Sequence, residues 1–456
     1  MYRAYVTKVK NIRPAENADR LNFCEAFGNT VVVDKNVNEN DLYIYFPCDG
    51  QLSLEFCLNN NLLRKLPDGT PSSGYMDPDK RNVIAIKLRG NKSDGLVLPL
   101  NCVSYTGVLL NELTEGLAFT TLNGHEICKK YIPMRQNRQG NVSEGNRVRK
   151  KKAPVAPLFI EHADTEQLAY NLNAFKPNDL VEITLKMHGT SQRTGYLPML
   201  KGYKKTLLDR IMRRDGTPIY EYGYVSGTRR TVLNDWEGGF YGSNMFRKKH
   251  ADFFEGKLHK GEEVYYEVVG FTDEGMPIMP SASNRKLNDK DFLKKYGETT
   301  TFSYGCSCTG YYTYGDGSYD VLPKSDFYVY RMTMTNEDGD VVEYTPDFMR
   351  YRCEQMGCKC VPVLWRGFLD DTTDWNDAGM TAGEQVKEIA ERYYDGPDPI
   401  GKTHVREGVV IRILNRPKFC AYKHKNFAFK CLEGLVKAEE TAPDMEEAEE
   451  VQNDET

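Results

Sequence analysis

The sequence predicts an α+β chain in two parts: a small N-terminal β-barrel, then a larger part that mixes strands with helices. Three observations predict it. Six short strand-like runs (Tyr2–Lys8, Leu21–Ala26, Thr30–Val33, Leu42–Phe46, Val83–Leu88, Gly95–Pro99) are separated by Asn, Asp, Gly and Pro, which is the punctuation of a small all-β unit. Further along, Val181–Leu185, Tyr265–Gly270 and Val409–Ile411 read as buried strands. Thr381–Tyr393 reads as a helix. A chain of 456 residues has room for about two or three domains, each with its own core.

In chain order, the barrel takes residues 1–145, a linker 146–154, the larger domain 155–436 and a tail 437–456. Residues 135–152 carry Arg135, Arg138, Arg147, Arg149 and Lys150 to Lys152 among glycines and asparagines. This stretch reads as a linker or arm that touches phosphates, or as a merely solvated linker. Glu439 to Thr456 is acidic and lacks an apolar pattern, so it reads as a disordered tail, or simply as a solubilising end. The net charge is −5, which gives no global basic signature of nucleic-acid binding. No apolar run reaches about 18 residues, so no membrane span is expected. The opening Met1-Tyr2-Arg3-Ala4-Tyr5-Val6 enters a strand at once, without a signal-peptide apolar region. Twelve cysteines lie scattered, as in a reducing, cytoplasmic setting. Cys353, Cys358 and Cys360 with Cys306 and Cys308 could ligate zinc, but their spacings fit no standard structural site.

The side chains that carry chemistry begin at Lys186-Met187-His188-Gly189-Thr190-Ser191, directly after the strand Val181–Leu185. A lysine at the end of a buried strand can be desolvated into a neutral, nucleophilic amine against a nucleotide phosphate. Gly189 would let the backbone approach the ligand, and the hydroxyls of Thr190 and Ser191 could bind phosphate or ribose. Glu267 and Glu407 sit in strand-like settings and could hold Mg²⁺, which prefers oxygen ligands. Lys423 and Lys425 lie two apart, so a strand puts both on one face. Tyr330 offers a π-face, and Arg229 or Arg230 a fork of donors for phosphate or ribose oxygens. Each has a plain alternative. A strand-end lysine is usually a solvated charge, Glu267 could be a surface residue, and Glu407 a turn residue. Tyr330 could be core packing, and the two lysines could be edge-strand charges.

What lifts these residues above their alternatives is their order. Lys186-x-His188-Gly189 resembles the first motif of the covalent nucleotidyltransferases: DNA ligases, RNA ligases and mRNA capping enzymes. Ser226-Gly227-Thr228-Arg229-Arg230 resembles the arginine motif, and Tyr265-Tyr266-Glu267-Val268-Val269-Gly270 the strand bearing the third-motif glutamate. Phe327-Tyr328-Val329-Tyr330 resembles the aromatic motif of RNA ligases. Arg406-Glu407-Gly408-Val409-Val410-Ile411-Arg412 resembles the fourth motif, and Lys423-His424-Lys425 the Lys-x-Lys of the fifth. Ile12 to Leu21 is similar to the opening of OB-type barrels that bind tRNA. With that barrel placed first, residues 1–436 resemble the Deinococcus and Naegleria type of RNA ligase (the RNA ligase 5 family) and related phage enzymes. Lys423-x-Lys425-Asn426 is also similar to the RNA ligase 2 group.

The resemblance implies an OB-like barrel ahead of an adenylyltransferase (ATP-grasp-like ligase) domain of antiparallel sheets flanked by helices. It implies a monomer that uses ATP and Mg²⁺, or Mn²⁺ in its place, to join RNA 3′-OH and 5′-phosphate ends, as at a nicked duplex. Lys186 would take AMP from ATP, with Lys423 and Lys425 assisting on the phosphates. The nucleotide would be bound by Lys186, His188, Arg229, Arg230, Glu267, Tyr330, Glu407, Lys423 and Lys425, and the metal by Glu267 and Glu407. Tyr330 would stack on adenine. A DNA ligase, a capping-type guanylyltransferase or a nucleic-acid-binding protein that has lost catalysis are the rivals. Only about thirty residues follow Lys425, too few for the OB domain that DNA ligases and capping enzymes carry there. Two departures stand out. His188 replaces the aspartate of the first motif, so its part is to hydrogen-bond metal-bound water or to fix the loop. Phe271–Ser325 is long, and reads as a substrate-facing hairpin or as a surface elaboration. In the barrel, Arg89 and Lys92 are candidate nucleic-acid contacts.

Overall fold

The computed structural model describes the chain apart from residues 1, 16–20, 89–90, 132–153, 163–164, 208, 210–211, 213–215, 230, 234–235, 239–240, 280–310, 314–317, 322–323, 370–378, 401–404 and 431–456. Arg230, Arg89, Cys306, Cys308, the whole basic stretch 135–152, most of the 271–325 segment and the acidic tail therefore lie outside the described residues. The chain divides into two compact units. One is drawn from Met1–Gln136, Leu287–Phe292 and Asn426–Asp444, the other from Asn137–Lys286, Leu293–Lys425 and Met445–Thr456.

The first unit is built of short antiparallel strands, as the punctuated sequence requires. β1 (Ala4–Lys8), β5 (Leu42–Phe46), β10 (Leu96–Pro99) and β11 (Ala118–Phe119) form one sheet in the order β10-β5-β1-β11. β2 (Lys10–Pro14), β3 (Leu21–Ala26) and β4 (Asn29–Asp34) form a second, β6 (Gly50–Leu52), β7 (Asn82–Val83) and β14 (Cys128–Lys130) a third. β8 (Ala85–Leu88) pairs with β9 (Asn91–Asp94), and β12 (Thr121–Leu122) with β13 (His125–Glu126). The β3–β4 connection is a two-residue turn, Phe27-Gly28, with both φ values positive. That geometry matches the right-handed twist of the paired strands. Val6, Ile44, Phe46 and Leu52 pack with Phe56 and Cys57 of α1 (Leu54–Asn59) into one core. Among the described residues these strands form separate sheets and not one closed ring of pairs.

The second unit is two five-stranded sheets. The first has the order β15 (Glu166–Gln167), β26 (Ala421–Lys425), β25 (Gly408–Ile413), β16 (Leu180–Leu185), β24 (Val363–Phe368). The second has the order β18 (Thr217–Gly227), β17 (Thr190–Lys204), β19 (Glu262–Gly270), β22 (Ser325–Thr335), β23 (Val341–Glu343). A two-stranded ribbon pairs β20 (Tyr311–Thr313) with β21 (Tyr319–Val321). All pairings are antiparallel except β15 with β26. Among the described residues the α-helices of this unit are few: α2 (Met245–Asp252), α3 (Pro346–Met356) and α4 (Ala382–Tyr393). The expected helix is α4, and Thr381 and Glu384 cap it reciprocally, an arrangement that satisfies otherwise orphaned N–H groups.

Each sheet buries one face by strand alternation. Val181, Ile183, Val409 and Ile411 pack on Val386, Ile389 and Ala390 of α4. Val264, Tyr266, Val268 and Val329 pack with Phe246, Phe254 and Met349. Charged groups link the other faces. Arg350 of α3 grips Glu182 of β16 with two hydrogen bonds of 3.1 and 2.9 Å. Arg412 of β25 and Arg331 of β22 share Glu343 of β23 at 3.1 and 2.9 Å. Buried carboxylates paired in this way are costly to break singly, because a lone charge would be left behind.

Candidate functional site

The site forms where the chain leaves the first sheet and enters the second. β16 ends at Leu185, and the Lys186 N–H donates to the Gly408 carbonyl at 3.0 Å, which ties the strand end to the start of β25. Glu407, one residue before that strand, receives three partners. Lys186 Nζ lies 2.6 Å from Glu407 Oε1, Lys425 Nζ 3.7 Å from the same oxygen, and His188 Nδ1 3.2 Å from Oε2. Glu407 is buried, which by itself would push its carboxyl upward. The Lys186 charge, the His188 hydrogen bond and the Lys425 charge outweigh burial and bring it down to about 2, so the group is an ionised carboxylate. Lys186 thus faces a carboxylate and not an apolar wall, and desolvation alone does not describe its setting.

Lys423 and Lys425 of β26 register against Val410 and Gly408 of β25, so they share a face, as their spacing predicts. The intervening His424 faces the other way and stacks on Tyr394 at 4.8 Å. The loop Lys186–Gly189 then crosses to β17. A Cβ on Gly189 would stand 2.3 Å from the Val268 carbonyl, so only glycine allows this approach. The hydroxyls expected to bind phosphate are engaged within the protein. Thr190 Oγ1 accepts from Arg247 Nη2 at 2.6 Å, and Ser191 Oγ bonds Tyr330 Oη at 2.9 Å.

On the second sheet, Ser191 pairs with Glu267 and Arg193 with Tyr265. Cross-strand partners share a face, so Glu263, Tyr265 and Glu267 turn away from the apolar core that takes Val264, Tyr266 and Val268. Glu267 and Arg229 both act on Tyr330. Burial foremost, then the Glu267 charge, push its phenol upward, against the Ser191 hydrogen bond and the Arg229 charge. The structure therefore gathers Lys186, His188, Glu407 and Lys425 by direct contact, and Glu267, Tyr330 and Arg229 in a second neighbourhood reached through Gly189 and Ser191. Arg230 lies outside the described residues.

Solved structures of an RNA ligase from Naegleria gruberi match the chain over nearly its whole length. A mutant of that ligase with AMP and Mn aligns at 18% identity and a TM-score of 0.53, covering 94% of this chain and 97% of that one. A mutant with ATP and Mn aligns at 18% identity and 0.52, covering 94% and 98%. The same ligase with PPi aligns at 17% and 0.51, covering 93% and 97%. The chain has an RNA ligase fold. No protein-family model and no curated protein matches the sequence.

Within this fold, three residues escaped the sequence reading. Arg247, fully buried on α2, also donates to the Ser191 carbonyl at 3.1 Å, and so holds the start of β17 behind the lysine loop. His162 donates its N–H to the Arg229 carbonyl at 3.4 Å and sets its ring 5.2 Å from Tyr330. Arg193 donates from Nε to Thr228 and lies 3.2 Å from Glu263; burial raises that carboxyl to about 7 despite the arginine. Nothing in the local sequence around Arg247 or His162 marks them, because both act on residues far away in the chain. Of the cysteine group, Cys358 Sγ lies 3.6 Å from the Cys353 carbonyl. Among the described residues no three His, Cys, Asp or Glu side chains converge as a metal cage, and no helix is long and apolar enough to cross a membrane. Lys92 of the first unit lies over the Phe427 ring at 5.2 Å.

Proposed function

We propose that this chain is an ATP-dependent RNA ligase that joins 3′-OH and 5′-phosphate ends through a lysyl-AMP on Lys186. The observation that carries the reading is the gathering of Lys186, His188 and Lys425 around the ionised Glu407 in a protein with an RNA ligase fold. At rest Lys186 and Lys425 share one carboxylate. A triphosphate brings competing negative charge for both ammonium groups, so binding opens the pair, and Lys186 attacks as the neutral amine once its ammonium has given a proton to water. The new P–N bond forms at the α-phosphorus and pyrophosphate leaves. AMP then passes to the RNA 5′-phosphate, the 3′-OH attacks that phosphate, and AMP departs.

Positioning and electrostatic stabilisation dominate such transfers. Lys423 and Lys425 would meet the phosphate oxygens from one face, and Arg229 would supply a donor fork beside Tyr330, whose ring would stack on adenine. Glu407 and Glu267 offer carboxylate oxygens, the donors that Mg²⁺ or Mn²⁺ prefers. With no protein cage among the described residues, these carboxylates would hold the cation together with water and phosphate, and it would neutralise developing charge there. The first unit, read as an OB-like barrel, would hold the nucleic acid.

The test is the intact mass of the protein after incubation with ATP and a divalent cation, beside GTP and Lys186→Ala. We expect an AMP adduct with wild type alone, and sealing of a pre-adenylylated nick by Lys186→Ala. ATP-dependent ligation retained by that variant would remove Lys186 from the role. Equal sealing of all-deoxy and ribose-terminated nicks would turn the reading to a DNA ligase.

A further inference from the structure

The strand that starts at the nucleotide site does not end with its sheet. β17 pairs with β19 only over Thr190–Gly195, yet continues to Lys204, partnered by β18 down to Thr217. The continuation is an arm of two strands, covered along its middle by Ala156 and Phe159, which pack on Leu197 and Val225, and tied by the Leu200 N–H to the Val155 carbonyl at 2.7 Å. From Ser191 to Lys204 it spans about 40 Å at about 3.3 Å per residue. That length reaches well along a bound duplex, past the first base pairs beside a joint.

Strand alternation assigns the faces of this arm. Ser191 and Arg193 share the face of Glu267 and Tyr265, and pairing carries that face along Gly195–Val225, Leu197–Gly223 and Met199–Glu221. An unbroken alternation would then turn Lys204 to the opposite face. The register shifts between Leu200 and Gly202, so that Gly202 pairs with Ile219 and Lys204 with Thr217. Ile219 and Thr217 alternate with Glu221 and keep its face. A bulge re-aims the residues beyond it, and here it returns Lys204 to the face of the nucleotide site. Lys201, the bulged residue, reaches the same side, 3.8 Å from Glu221, with its side chain 71% exposed. An exposed pair of this kind contributes little and leaves the lysine available. Lys204 and Lys205 are exposed as well. The facing carboxylates are Glu221 and, in the turn beyond, Asp209, which accepts from Thr206 N at 2.9 Å.

We infer that Lys201, Lys204 and Lys205 grip the phosphates of the RNA duplex about 40 Å from the ends being joined. The inference rests on the ligase reading above and names the part of its substrate that the arm meets. The chain as a whole has a net charge of −5, so two exposed lysines on this face and a third at the end of the strand form a local exception, complementary to a polyanion.

The experiment combines Lys201→Glu, Lys204→Glu and Lys205→Glu, with the matching triple glutamine variant beside it. Sealing is measured on nicked RNA duplexes whose two arms are shortened separately, and binding by fluorescence anisotropy at several salt concentrations. Self-adenylylation with ATP is read in parallel as the measure of the nucleotide site. On arms of about twenty base pairs, the glutamate variant should seal at least about 10-fold less efficiently than wild type. The glutamine variant should lose less, and its binding should lose about two to three units of salt slope, at about 0.9 per phosphate contact. When one arm, and only one, becomes too short to reach about 40 Å from the nick, wild type should drop to the level of the variants. Equal sealing by all three proteins, or a deficit independent of arm length, overturns the inference. Absence of an adenylate on wild type overturns the ligase reading, and the arm with it.

Discussion

At the scale of single residues, Glu407 is the carboxylate on which the candidate site turns. Lys186, Lys425 and His188 all reach it. Glu407→Gln should cut self-adenylylation by about 100-fold or more, the scale on which one preorganised electrostatic partner acts; a rapid-quench measurement of adduct formation checks it. The same carboxyl titrates at about 2 when folded, against about 4.3 for an unperturbed glutamate. A lowered folded value means stabilisation that is complete above the unfolded value and lost as pH falls towards the folded one. In metal-free buffer, the Tm difference between wild type and Glu407→Gln should therefore be full at pH 7 and shrink between about pH 4.5 and 2. Sequence order singled out Lys186, Glu407 and Lys425 together. It did not show that Thr190 and Ser191 spend their hydroxyls on Arg247 and Tyr330, since those partners lie more than fifty residues away and are chosen by packing.

At the scale of elements, the lysine loop works because it can lie flat on β19. Gly189→Ala would put a Cβ 2.3 Å from the Val268 carbonyl and 2.7 Å from the Val269 side chain, and the backbone atom cannot swing away. The loop must lift, carrying Lys186 and His188 from Glu407. A misplacement of about 1 Å costs about 100-fold in a positioned reaction. We expect that loss in adenylylation with the circular dichroism spectrum unchanged; a variant of normal rate would show that the loop has slack. Elements themselves were well marked in the sequence. Leu21–Ala26, Leu42–Phe46 and the helix from Thr381 stand where patterning put them, because alternation and a capping box are local signals. The run Val83–Leu88 splits into β7 and β8. The short strands β6, β11 and β14 were missed, since two or three residues carry no period to read.

At the scale of the whole molecule, the chain returns to its first unit after Lys425. Lys430 Nζ bonds Asp94 and lies 3.4 Å from Asn29 Oδ1, beside Cys48, whose thiol burial and the Asp94 charge push well upward. Lys430→Met should destabilise the first unit by about 3 kcal/mol, because Asp94 would be left as a buried, uncompensated charge. Adding Asp94→Asn should restore part of the loss. Urea unfolding of the two variants checks both statements, and an additive double mutant would refute the pairing. By itself the sequence determined which candidate site residues are present, in what order, and which strands and helices carry them. These follow from residue chemistry and from periods of two and 3.6 that any short window displays. Only the tertiary structure decided that Glu407 meets Lys186 across more than two hundred residues, that Arg247 braces the loop, and that a bulge turns Lys204 back to the site face. A period tells which face a residue takes. Which partner waits there depends on sheet order and register, and those are set by burying every strand of both sheets at once.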